Sequence, residues 1–506
     1  MTDLTRIFIP QETSACSVGA NSIASVITTL ATENNEIEII RNGSWGAFWL
    51  EPFIEIESQN KRRGLSYADK DVSQFISIEE FLTDFHDNEP FDIQELDFIK
   101  NQNRLVFSRI GYCNPLNLDE YIKFKGYKGL ERAFEIGQTD TINQIRLSGL
   151  TGRGGAAFPT GIKLQTVHDQ ESEVKYIVCN ADEGDGGTFA DRLIMESDPF
   201  SVIEGMTIAA YSIGATKGYI YLRSEYPLAK YFLSQGIQIA RSRNLLGKSI
   251  LGTSFDFDIE LRIGAGSYVC GEETAMLESI EGRRGLVRSK PPLPAIEGLF
   301  KKPTLINNVI TLSTMTTILA EGCEIFSEHG AGKSVGTMPF QLSGNIKQGG
   351  LIETPFSITL EELIYDFGQG TLNNKSIQAV QIGGPLGTYL PVNLFNTALT
   401  FEALHELNGS LGHGGVIVFD ETTDMILQAK FAMEFCQKES CGKCTPCRIG
   451  SGIGMSLIDK LNKRNAGISD RVLLEELCET MEISSLCAMG SMTPNPVRSI
   501  MKHFLK

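Results

Sequence analysis

Four cysteines near the end of the chain have a spacing that suits a metal cluster. Cys441, Cys444 and Cys447 are separated from one another by two residues, and Cys487 lies in a distant segment. Three thiolates on one loop can reach three irons of a cubane, and the fourth iron then takes its thiolate from elsewhere in the chain. Structural zinc sites are the alternative, but they usually draw their ligands as two separated pairs. The spacing therefore favours a [4Fe–4S] cluster over zinc.

The other cysteines lack such partner spacing. In a reducing compartment a thiol of this kind usually packs as a small apolar side chain. We expect this of Cys16, Cys113, Cys179, Cys270, Cys323, Cys436 and Cys478. Cys436 lies close to the motif in sequence, so a role as an alternative ligand stays open. Lys443 and Arg448, beside the motif, either stabilise a reduced cluster or are solvated surface charges.

A glycine-rich loop at residues 149–163 is the second candidate site. Gly152, Gly154 and Gly155 lie within it, and a helical pattern follows. Small residues let backbone N–H groups approach a phosphate or a flavin ring, and a helix N-terminus favours anions. A lone glycine loop is more often a simple turn.

Polar loops further along the chain give the glycine loop more weight. A strand-like segment at 176–179 is followed by Asn180, Asp182 and Glu183. In open α/β sheets, ligands bind at the carboxyl ends of the strands. Glu272 and Glu273, which follow a glycine turn, would usually be solvated or cap a helix. Their place after a strand suits contact with a ribityl hydroxyl or a nicotinamide.

Bulk composition excludes several classes of protein. The chain has 506 residues and a net charge of −17, which argues against a nucleic-acid partner because phosphate neutralisation needs concentrated Lys and Arg. No apolar run is long enough to span a bilayer. The first residues lack a charged segment followed by an apolar one, so we expect no signal peptide and a cytoplasmic location.

The pattern of strands and helices divides the chain into five segments. Residues 1–80 suggest a small α/β unit, and residues 81–106 are acidic and irregular, as in a linker. From 107 to 335 strands alternate with helices, 336–421 suggest a small α+β unit, and 422–506 are helical. In this last segment Ser469 is expected to cap a helix in which Leu473, Leu477 and Met481 share one face.

The order of these motif blocks resembles that of a known family. From about residue 107 onward the chain is similar to the NADH-oxidising FMN and [4Fe–4S] subunit of respiratory complex I and its relatives in NAD-linked hydrogenases and formate dehydrogenases. The resemblance implies a multidomain α/β fold. Residues 107–335 would form a Rossmann-like domain for FMN and NAD(H), 336–421 a ubiquitin-like (β-grasp) domain, and 422–506 a helical bundle carrying the cluster.

The resemblance also implies site residues at the matching positions. The implied FMN site consists of Gly152, Arg153, Gly154, Gly155, Lys163, Asn180, Asp182, Glu183, Gly271, Glu272, Asn307 and Asn308. Phe158, Glu273 and Lys290 match NADH contacts, and Tyr268 lies at the flavin edge. The family often has Phe where Leu293 stands here, which removes one stacking contact.

The N-terminal segment resembles a shrunken thioredoxin-like [2Fe–2S] domain that accompanies this subunit. That cluster needs four cysteines, and only Cys16 lies in the first 100 residues, so the domain is expected to be degenerate and without a cluster. Residues 40–52 most resemble the β subunit of cytoplasmic NAD-dependent, molybdenum- or tungsten-type formate dehydrogenases. The diaphorase subunit of a soluble NAD-reducing hydrogenase and the NADH-binding subunit of complex I are the alternatives.

Partners follow from this resemblance. They are a catalytic molybdenum or tungsten formate dehydrogenase subunit and a small [2Fe–2S] subunit. Trp45, Trp49 and Phe53 are candidate docking anchors for them, or else form the core of the domain.

No catalytic side chain is expected. Hydride transfer between NAD(H) and FMN needs stacked rings and exclusion of water, not an acid or a base. A non-enzyme alternative is a redox-sensing scaffold whose glycine loops are merely turns. Such a scaffold would carry no FMN.

Overall fold

The computed structural model describes residues 4–32, 34–462 and 467–505. Its first region comprises β1 (Thr5–Pro10), α1 (Thr13–Ser17), α2 (Ala20–Leu30), β2 (Ile37–Asn42), β3 (Phe53–Ser58) and β4 (Lys61–Ser66). The strand order is β2-β1-β3-β4, with β1 parallel to β2 and antiparallel to β3. Ile7 and Ile9 share a core with Ile23 and Ile27. Alternate strand residues and residues one helical turn apart each lie on one face, which is why these four meet.

The segment expected to be an irregular linker, residues 81–106, is ordered and packs into two cores. It includes most of α3 (Ile78–Asp87) and all of α4 (Asp97–Lys100). Phe81 and Phe85 are buried in the core of the first region. Phe98 is buried further along, with its ring 6.1 Å from that of Phe367. The acidic residues Asp87, Glu89 and Asp92 are exposed, so the acidic composition reflects one solvated side of a packed segment.

Two of the three candidate docking anchors are core residues. Trp45 and Phe53 are 4% and 3% exposed, and both belong to a core shared with the third sheet described below. Trp49 is half-buried, with its ring edge-on to Phe98 at 4.3 Å. Trp45 and Phe53 are therefore not available as surface anchors in this chain.

A second region contains a four-stranded parallel sheet. Its elements are α5 (Leu118–Lys123), α6 (Lys128–Leu147), α7 (Thr160–His168), β5 (Tyr176–Ala181), α8 (Ala190–Ser197), α9 (Pro199–Ile213), β6 (Lys217–Leu222), α10 (Pro227–Ser242), β7 (Asp258–Ile263), α11 (Glu273–Ile280), α12 (Pro294–Glu297), β8 (Thr304–Asn308), α13 (Val309–Glu321) and α14 (Glu324–Ser327). The strand order is β7-β6-β5-β8. Asn180 is paired in register with Asn308, so the strands end at one edge.

A third region contains a mixed five-stranded sheet. Its elements are β9 (Gly330–Ala331), β10 (Ser334–Val335), β11 (Thr337–Gly344), β12 (Gly350–Pro355), α15 (Leu360–Glu362), β13 (Ile377–Ile382), β14 (Thr388–Pro391), α16 (Phe401–Glu406) and β15 (Gly415–Asp420). The order is β12-β11-β15-β13-β14, with β11 parallel to β15 and the other pairs antiparallel. Strands β9 and β10 form a separate hairpin.

The last region is helical, as expected. It consists of α17 (Met425–Glu439), α18 (Thr445–Asn462), α19 (Ile468–Ser484), α20 (Ala488–Met492) and α21 (Pro494–His503). Helix α19 buries Leu474, Cys478 and Met481, whereas Leu473 is exposed, so the predicted face is displaced. Its N-cap is Gly467 instead of Ser469. Among the residues that the structure describes, no helix has both the length and the apolar character needed to cross a bilayer.

Candidate functional site

The four motif cysteines meet at one small pocket. Cys441 and Cys444 lie in the loop between α17 and α18, Cys447 lies in the first turn of α18, and Cys487 precedes α20. Proline is tolerated in the first turn of a helix, which lets α18 begin inside the motif. The pocket lining is completed by Val269, Val287, Ser440, Ser485, Met489 and Gly490. The chain thus assembles three ligands from one loop and one from a distant segment.

The surroundings of these thiols fit an iron–sulfur cluster. The backbone N–H of Leu486 donates to Cys444 Sγ at 3.4 Å. Ser485 Oγ lines the pocket and is buried without a hydrogen-bond partner among the described residues, so its hydroxyl is free to donate to a bound sulfide. A Cβ at position 490 would lie 2.8 Å from Cys447 Cβ, which explains the need for glycine.

Cys436 lies behind the pocket instead of on its wall. Its Sγ is 3.6 Å from Cys447 Sγ, and its side chain is fully buried. Contact with Cys436 lowers the pKa of Cys447 to about 6, with further lowering by the Ser440 hydroxyl and Arg448 outweighing burial. The same contact and burial raise the pKa of Cys436. Cys436 is thus the neutral thiol of the pair, and the packing role expected for it fits this position.

The predicted glycine loop lies against the ends of strands β5 and β8. A Cβ at Gly154 would be 3.2 Å from Asn308 Cβ, and one at Gly271 would be 3.6 Å from Asp182 Oδ2. Asn180 Nδ2 donates to Gly271 O at 2.8 Å. The structure therefore brings the glycine loop, both strand ends and the Gly271 turn together at one edge of the parallel sheet, and this region is the candidate flavin cleft.

Two buried polar atoms of this cleft lack partners among the described residues. They are Asp182 Oδ2 and Asn307 Nδ2, one acceptor and one donor. Burial raises the pKa of Asp182 to about 7, although Arg223 opposes the change. A buried polar atom left unpaired costs about 1–3 kcal/mol, so these two atoms are expected to bind a polar ligand. A flavin ring and its ribityl chain carry both donors and acceptors, and the cleft fits such a group.

Two predicted FMN residues use their side chains elsewhere. The Arg153 guanidinium is 1% exposed and donates to Thr337 O, Val335 O and Thr151 O, which ties the glycine loop to the third region. Only the backbone of Arg153 is left for a ligand, and its N–H already donates to Thr311 Oγ1.

Glu183 is the second of these residues. Its carboxylate accepts from Asp191 N, Arg192 N and Tyr226 Oη, each at 3.0 Å. It therefore holds the start of α8 in place. Burial and the neighbouring Asp191 raise its pKa to about 6.

The predicted NADH contacts lie at the mouth of the cleft. Lys290 Nζ donates to Glu272 Oε1 at 3.0 Å and to Glu273 Oε1 at 2.6 Å. Glu272 also caps α11 through its other oxygen. Lys163, which the resemblance assigns to the FMN site and not to the NADH contacts, donates from Nζ to Ile306 O at 2.9 Å, and burial lowers its pKa. Phe158, on the glycine loop, is 48% exposed and so presents a free aromatic face.

One short segment forms part of both sites. The Tyr268 hydroxyl donates to Asp185 Oδ1 at 2.6 Å, on the loop that follows β5. The next residue, Val269, lines the cysteine pocket. Gly271 and Glu272, a few residues on, belong to the cleft. The two sites are therefore neighbours that share the segment 268–272.

Three side chains at the cleft were missed by sequence reasoning: His413, Asp191 and Thr311. His413 Nε2 lies 3.2 Å from Asp191 Oδ1 and 3.1 Å from Asn308 Nδ2. Asn308 Oδ1 accepts from Thr311 N at 3.0 Å. The available signal for His413 was its position between Gly412 and Gly414, which is weak because a lone histidine has no partner spacing.

Two family models match this chain. The model described as the Nuo51 FMN-binding domain matches residues 145–317. The model described as the NADH-ubiquinone oxidoreductase-F iron-sulfur binding region matches residues 427–506. The first range covers the glycine loop and the ends of β5 and β8, and the second covers the four motif cysteines.

The similarity to known proteins extends over most of the chain. The NADP-reducing hydrogenase subunit HndC of Solidesulfovibrio fructosivorans is 44% identical over 405 residues, which are 80% of this chain and 82% of that protein. A subunit of the NADH-quinone oxidoreductase of Escherichia coli (strain K12) is 38% identical over 393 residues, covering 77% of this chain and 88% of that protein.

A solved structure is similar over the full length. A crystal structure of NAD+-reducing [NiFe]-hydrogenase in the air-oxidized state covers 100% of this chain and 84% of its own, with a TM-score of 0.69 and 26% identity. This match includes the mixed α/β sheets and the helical C-terminal region. The chain accordingly belongs to the family of NADH-binding subunits that carry FMN and a [4Fe–4S] cluster in NADH dehydrogenase-type modules.

Proposed function

We propose that this chain is the diaphorase subunit of a soluble NAD-linked complex and that the two neighbouring sites are its flavin and cluster sites. The observation that carries this proposal is the segment 268–272, which borders both the cleft and the cysteine pocket. When bound, FMN exchanges a hydride with NAD(H) and single electrons with the [4Fe–4S] cluster. Electron transfer of this kind needs the two groups close together, and a shared wall provides that.

The cleft residues act by binding and orientation. Gly152, Gly154 and Gly155 would let the loop backbone approach FMN, Gly154 also packs closely on Asn308, and Asn180 fixes the Gly271 turn. Asp182 and Asn307 offer the unpaired acceptor and donor. Arg153 and Glu183 act indirectly, by holding the glycine loop and the start of α8.

The mouth of the cleft would hold the nucleotide. Phe158 offers an exposed ring for stacking, and Lys290 supplies a cation close to the Glu272 and Glu273 carboxylates. A dinucleotide carries two phosphates, which Lys290 attracts, while Glu273 accepts hydrogen bonds from its hydroxyl or amide groups. No side chain here is assigned as an acid or a base.

Substitution of Lys290 tests its assignment to the nucleotide site. Lys290→Met is expected to raise the KM for NADH several-fold in the NADH–ferricyanide reaction and to leave FMN content unchanged. Lys333→Met, at an exposed position, is the matched control. An unchanged KM in Lys290→Met, with FMN bound, would remove Lys290 from the nucleotide site.

Regarding the larger assembly, the sequence-based assignment is the β subunit of a formate dehydrogenase. In this assignment, residues 1–80 form a degenerate thioredoxin-like domain and residues 336–421 form a ubiquitin-like domain. The partners would be a molybdenum or tungsten catalytic subunit and a small [2Fe–2S] subunit. The alternatives are a hydrogenase and complex I. The names of two similar proteins describe hydrogenases, and one of them aligns with the N-terminal region as well, whereas another similar protein is a subunit of NADH-quinone oxidoreductase.

Metal analysis of the native complex separates the formate dehydrogenase from the hydrogenase. A tagged chain would be purified with its partners and assayed for formate-dependent and hydrogen-dependent NAD+ reduction. Molybdenum or tungsten with formate activity is the expected outcome. Nickel with hydrogen uptake would overturn the formate dehydrogenase assignment and leave the diaphorase proposal intact.

A further inference from the structure

Ser440 places a buried hydroxyl beside one of the four motif cysteines. It directly follows α17, immediately precedes Cys441, and is 6% exposed. Its Oγ lies 3.2 Å from Cys447 Sγ, which is within hydrogen-bond distance of a sulfur atom. The contact therefore joins the residue before the motif to the third cysteine of the motif.

The position of the Ser440 hydroxyl is fixed by its neighbours. Ser440 N donates to Cys436 O at 2.9 Å, and Ser440 O accepts from Arg448 Nη1 at 3.3 Å. Gly442 N donates to Ser440 Oγ at 3.2 Å, so one lone pair of the hydroxyl is already used. These contacts hold the backbone and the oxygen in place beside Cys447 Sγ.

Binding of iron determines the direction of the hydrogen bond between Ser440 and Cys447. A cysteine binds a metal as the thiolate, which has no proton to donate. The Ser440 hydroxyl has one hydrogen, and among the hydrogen bonds of the described residues its only acceptor is Cys447 Sγ. Ser440 therefore donates to Cys447 Sγ when Cys447 binds iron.

A hydrogen bond to a ligand sulfur changes the reduction potential of an iron–sulfur cluster. Reduction adds one electron to the cluster and its ligand sulfurs, and a hydroxyl dipole directed at the sulfur stabilises the added negative charge. The effect is larger in a buried site because the local dielectric constant is low. The hydroxyl of Ser440 therefore favours the reduced state.

The two cations beside the motif are less well placed to act on the cluster. Lys443 and Arg448 are both exposed. Lys443 Nζ donates to Val287 O at 2.5 Å, and Arg448 donates to Ser440 O. Water and salt screen the charge of exposed side chains, whereas the Ser440 hydroxyl is buried in direct contact with a ligand sulfur.

The thiol of Cys436 is the second neighbour of Cys447 Sγ, at 3.6 Å. A thiol is a weak hydrogen-bond donor. Its single hydrogen also has another acceptor, Met489 O, at 3.7 Å from Cys436 Sγ. Ser440 is thus the stronger of the two side-chain donors.

We propose that Ser440 is a positioning residue of the cluster site, whose hydroxyl donates to Cys447 Sγ and raises the reduction potential of the [4Fe–4S] cluster. The inference rests on the proposed cluster site. It implies that, at a given ratio of NADH to NAD+, the hydroxyl increases the fraction of the cluster that is reduced.

The midpoint potential of the purified chain tests the proposal. It is measured by electron paramagnetic resonance of the reduced cluster in the presence of redox mediators. Loss of one hydrogen bond corresponds to a change of about threefold to tenfold in the equilibrium constant for reduction. Since a tenfold change is about 59 mV for a one-electron couple, the potential of Ser440→Ala should be about 30 to 60 mV below that of the wild type.

Two further variants separate this effect from a structural one. Ser440→Thr keeps a hydroxyl and should have a potential close to that of the wild type. Ser451→Ala is the matched control, because Ser451 is a fully buried serine on α18 whose Oγ donates to Arg448 O at 3.3 Å. Its potential should equal that of the wild type. A role of Ser440 limited to holding Gly442 would change the iron content of Ser440→Ala and leave the potential unchanged.

Equal potentials of Ser440→Ala and the wild type, with full iron content in both, would overturn the proposal. If Ser440→Ala does not retain iron, a crystal structure of the cluster-loaded wild-type chain provides the test. Ser440 Oγ within hydrogen-bond distance of Cys447 Sγ would support the proposal, and a hydroxyl turned away from that sulfur would overturn it. Absence of a reduced-cluster signal in the wild type would instead contradict the cluster site itself.

Discussion

The Tyr268 hydroxyl donates a hydrogen bond of 2.6 Å to Asp185 Oδ1, and the Tyr268 ring packs edge-on against Phe435 with 4.8 Å between ring centres. Asp185 lies on the loop after β5, and Phe435 lies on α17, which leads to the cysteine loop. One side chain therefore joins the cleft to the helical region.

Tyr268→Phe should weaken that junction. The change leaves the half-buried Asp185 carboxyl without its donor, and such a loss costs about 1–3 kcal/mol. We expect a lower Tm and a further rise in the pKa of Asp185, which burial already raises. Tyr231→Phe, at an exposed tyrosine, is the control. Equal Tm values for Tyr268→Phe and wild type would show that the bond contributes nothing.

Substitution at Gly154 should reduce FMN content in proportion to side-chain size. A Cβ there would lie 3.2 Å from Asn308 Cβ, closer than an ordinary contact, and a valine adds two methyl groups. We expect partial FMN loss in Gly154→Ala and near-complete loss in Gly154→Val, measured by absorbance after gel filtration. Gly452→Ala, on α18, should retain FMN. Normal FMN content and normal NADH–ferricyanide turnover in Gly154→Val would remove this loop from the flavin site.

The junction between the first and second regions should depend on pH. Glu196 on α8 accepts from Thr13 N at 2.7 Å, and Glu12 and Glu51 lie nearby. Burial, with Glu12 adding repulsion, raises the pKa of Glu51 from 4.5 to about 8. The folded state thus holds this proton more tightly than the unfolded state, so the stabilisation is present below the unfolded pKa and is lost as pH rises through about 8.

The Glu51→Gln variant tests whether stability falls as the pH rises. Glutamine keeps the hydrogen bonds but cannot ionise, so the Tm of the variant should fall less than that of wild type between about pH 5 and pH 8. Glu79→Gln, at an exposed carboxylate, should follow the wild type. A parallel decline in Glu51→Gln would mean that Glu51 is ionised throughout this range.

Trp45→Ala should destabilise the chain strongly. Trp45 is buried between the first and third regions, and its Nε1 donates to Glu55 Oε2 at 2.8 Å. Truncation of a buried aromatic residue costs about 3–5 kcal/mol, so a Tm drop of several degrees is expected. Trp49→Ala, at a half-buried position, should cost less. An unchanged Tm together with failed assembly of the complex would favour the docking role, which is one of the two roles that the sequence left open.

The parts of the site that the sequence reveals are those encoded by local spacing. The motif cysteines and the glycine loop are recognisable because their chemistry depends on residues a few positions apart. Asn180 is recognisable because it follows a predicted strand, at the end where ligands of parallel sheets bind, whereas Asn308 was indicated by the resemblance to the family. His413 and Asp191 are 222 positions apart, and no local pattern links them.

The two incorrect predictions, for residues 81–106 and for the buried face of α19, also have physical explanations. The acidic residues dominate the composition of residues 81–106, and they make the apolar pattern of Phe81, Phe85 and Phe98 hard to recognise. These three side chains are buried. On α19, Leu473 and Leu474 are both apolar, so periodicity alone cannot choose between faces one residue apart. The packing of α19 against α18 and α21 determines which face is buried, and this packing cannot be inferred from the periodicity of the sequence.

Anaerobic addition of NADH to the purified chain tests the central claim most directly. We expect bleaching of the flavin absorbance together with the electron paramagnetic resonance signal of a reduced [4Fe–4S] cluster. Cys444→Ser should retain the bleaching and lose the signal. Bound zinc, no such signal in the reduced wild-type protein and no response of a flavin to NADH would contradict the assignment of both sites.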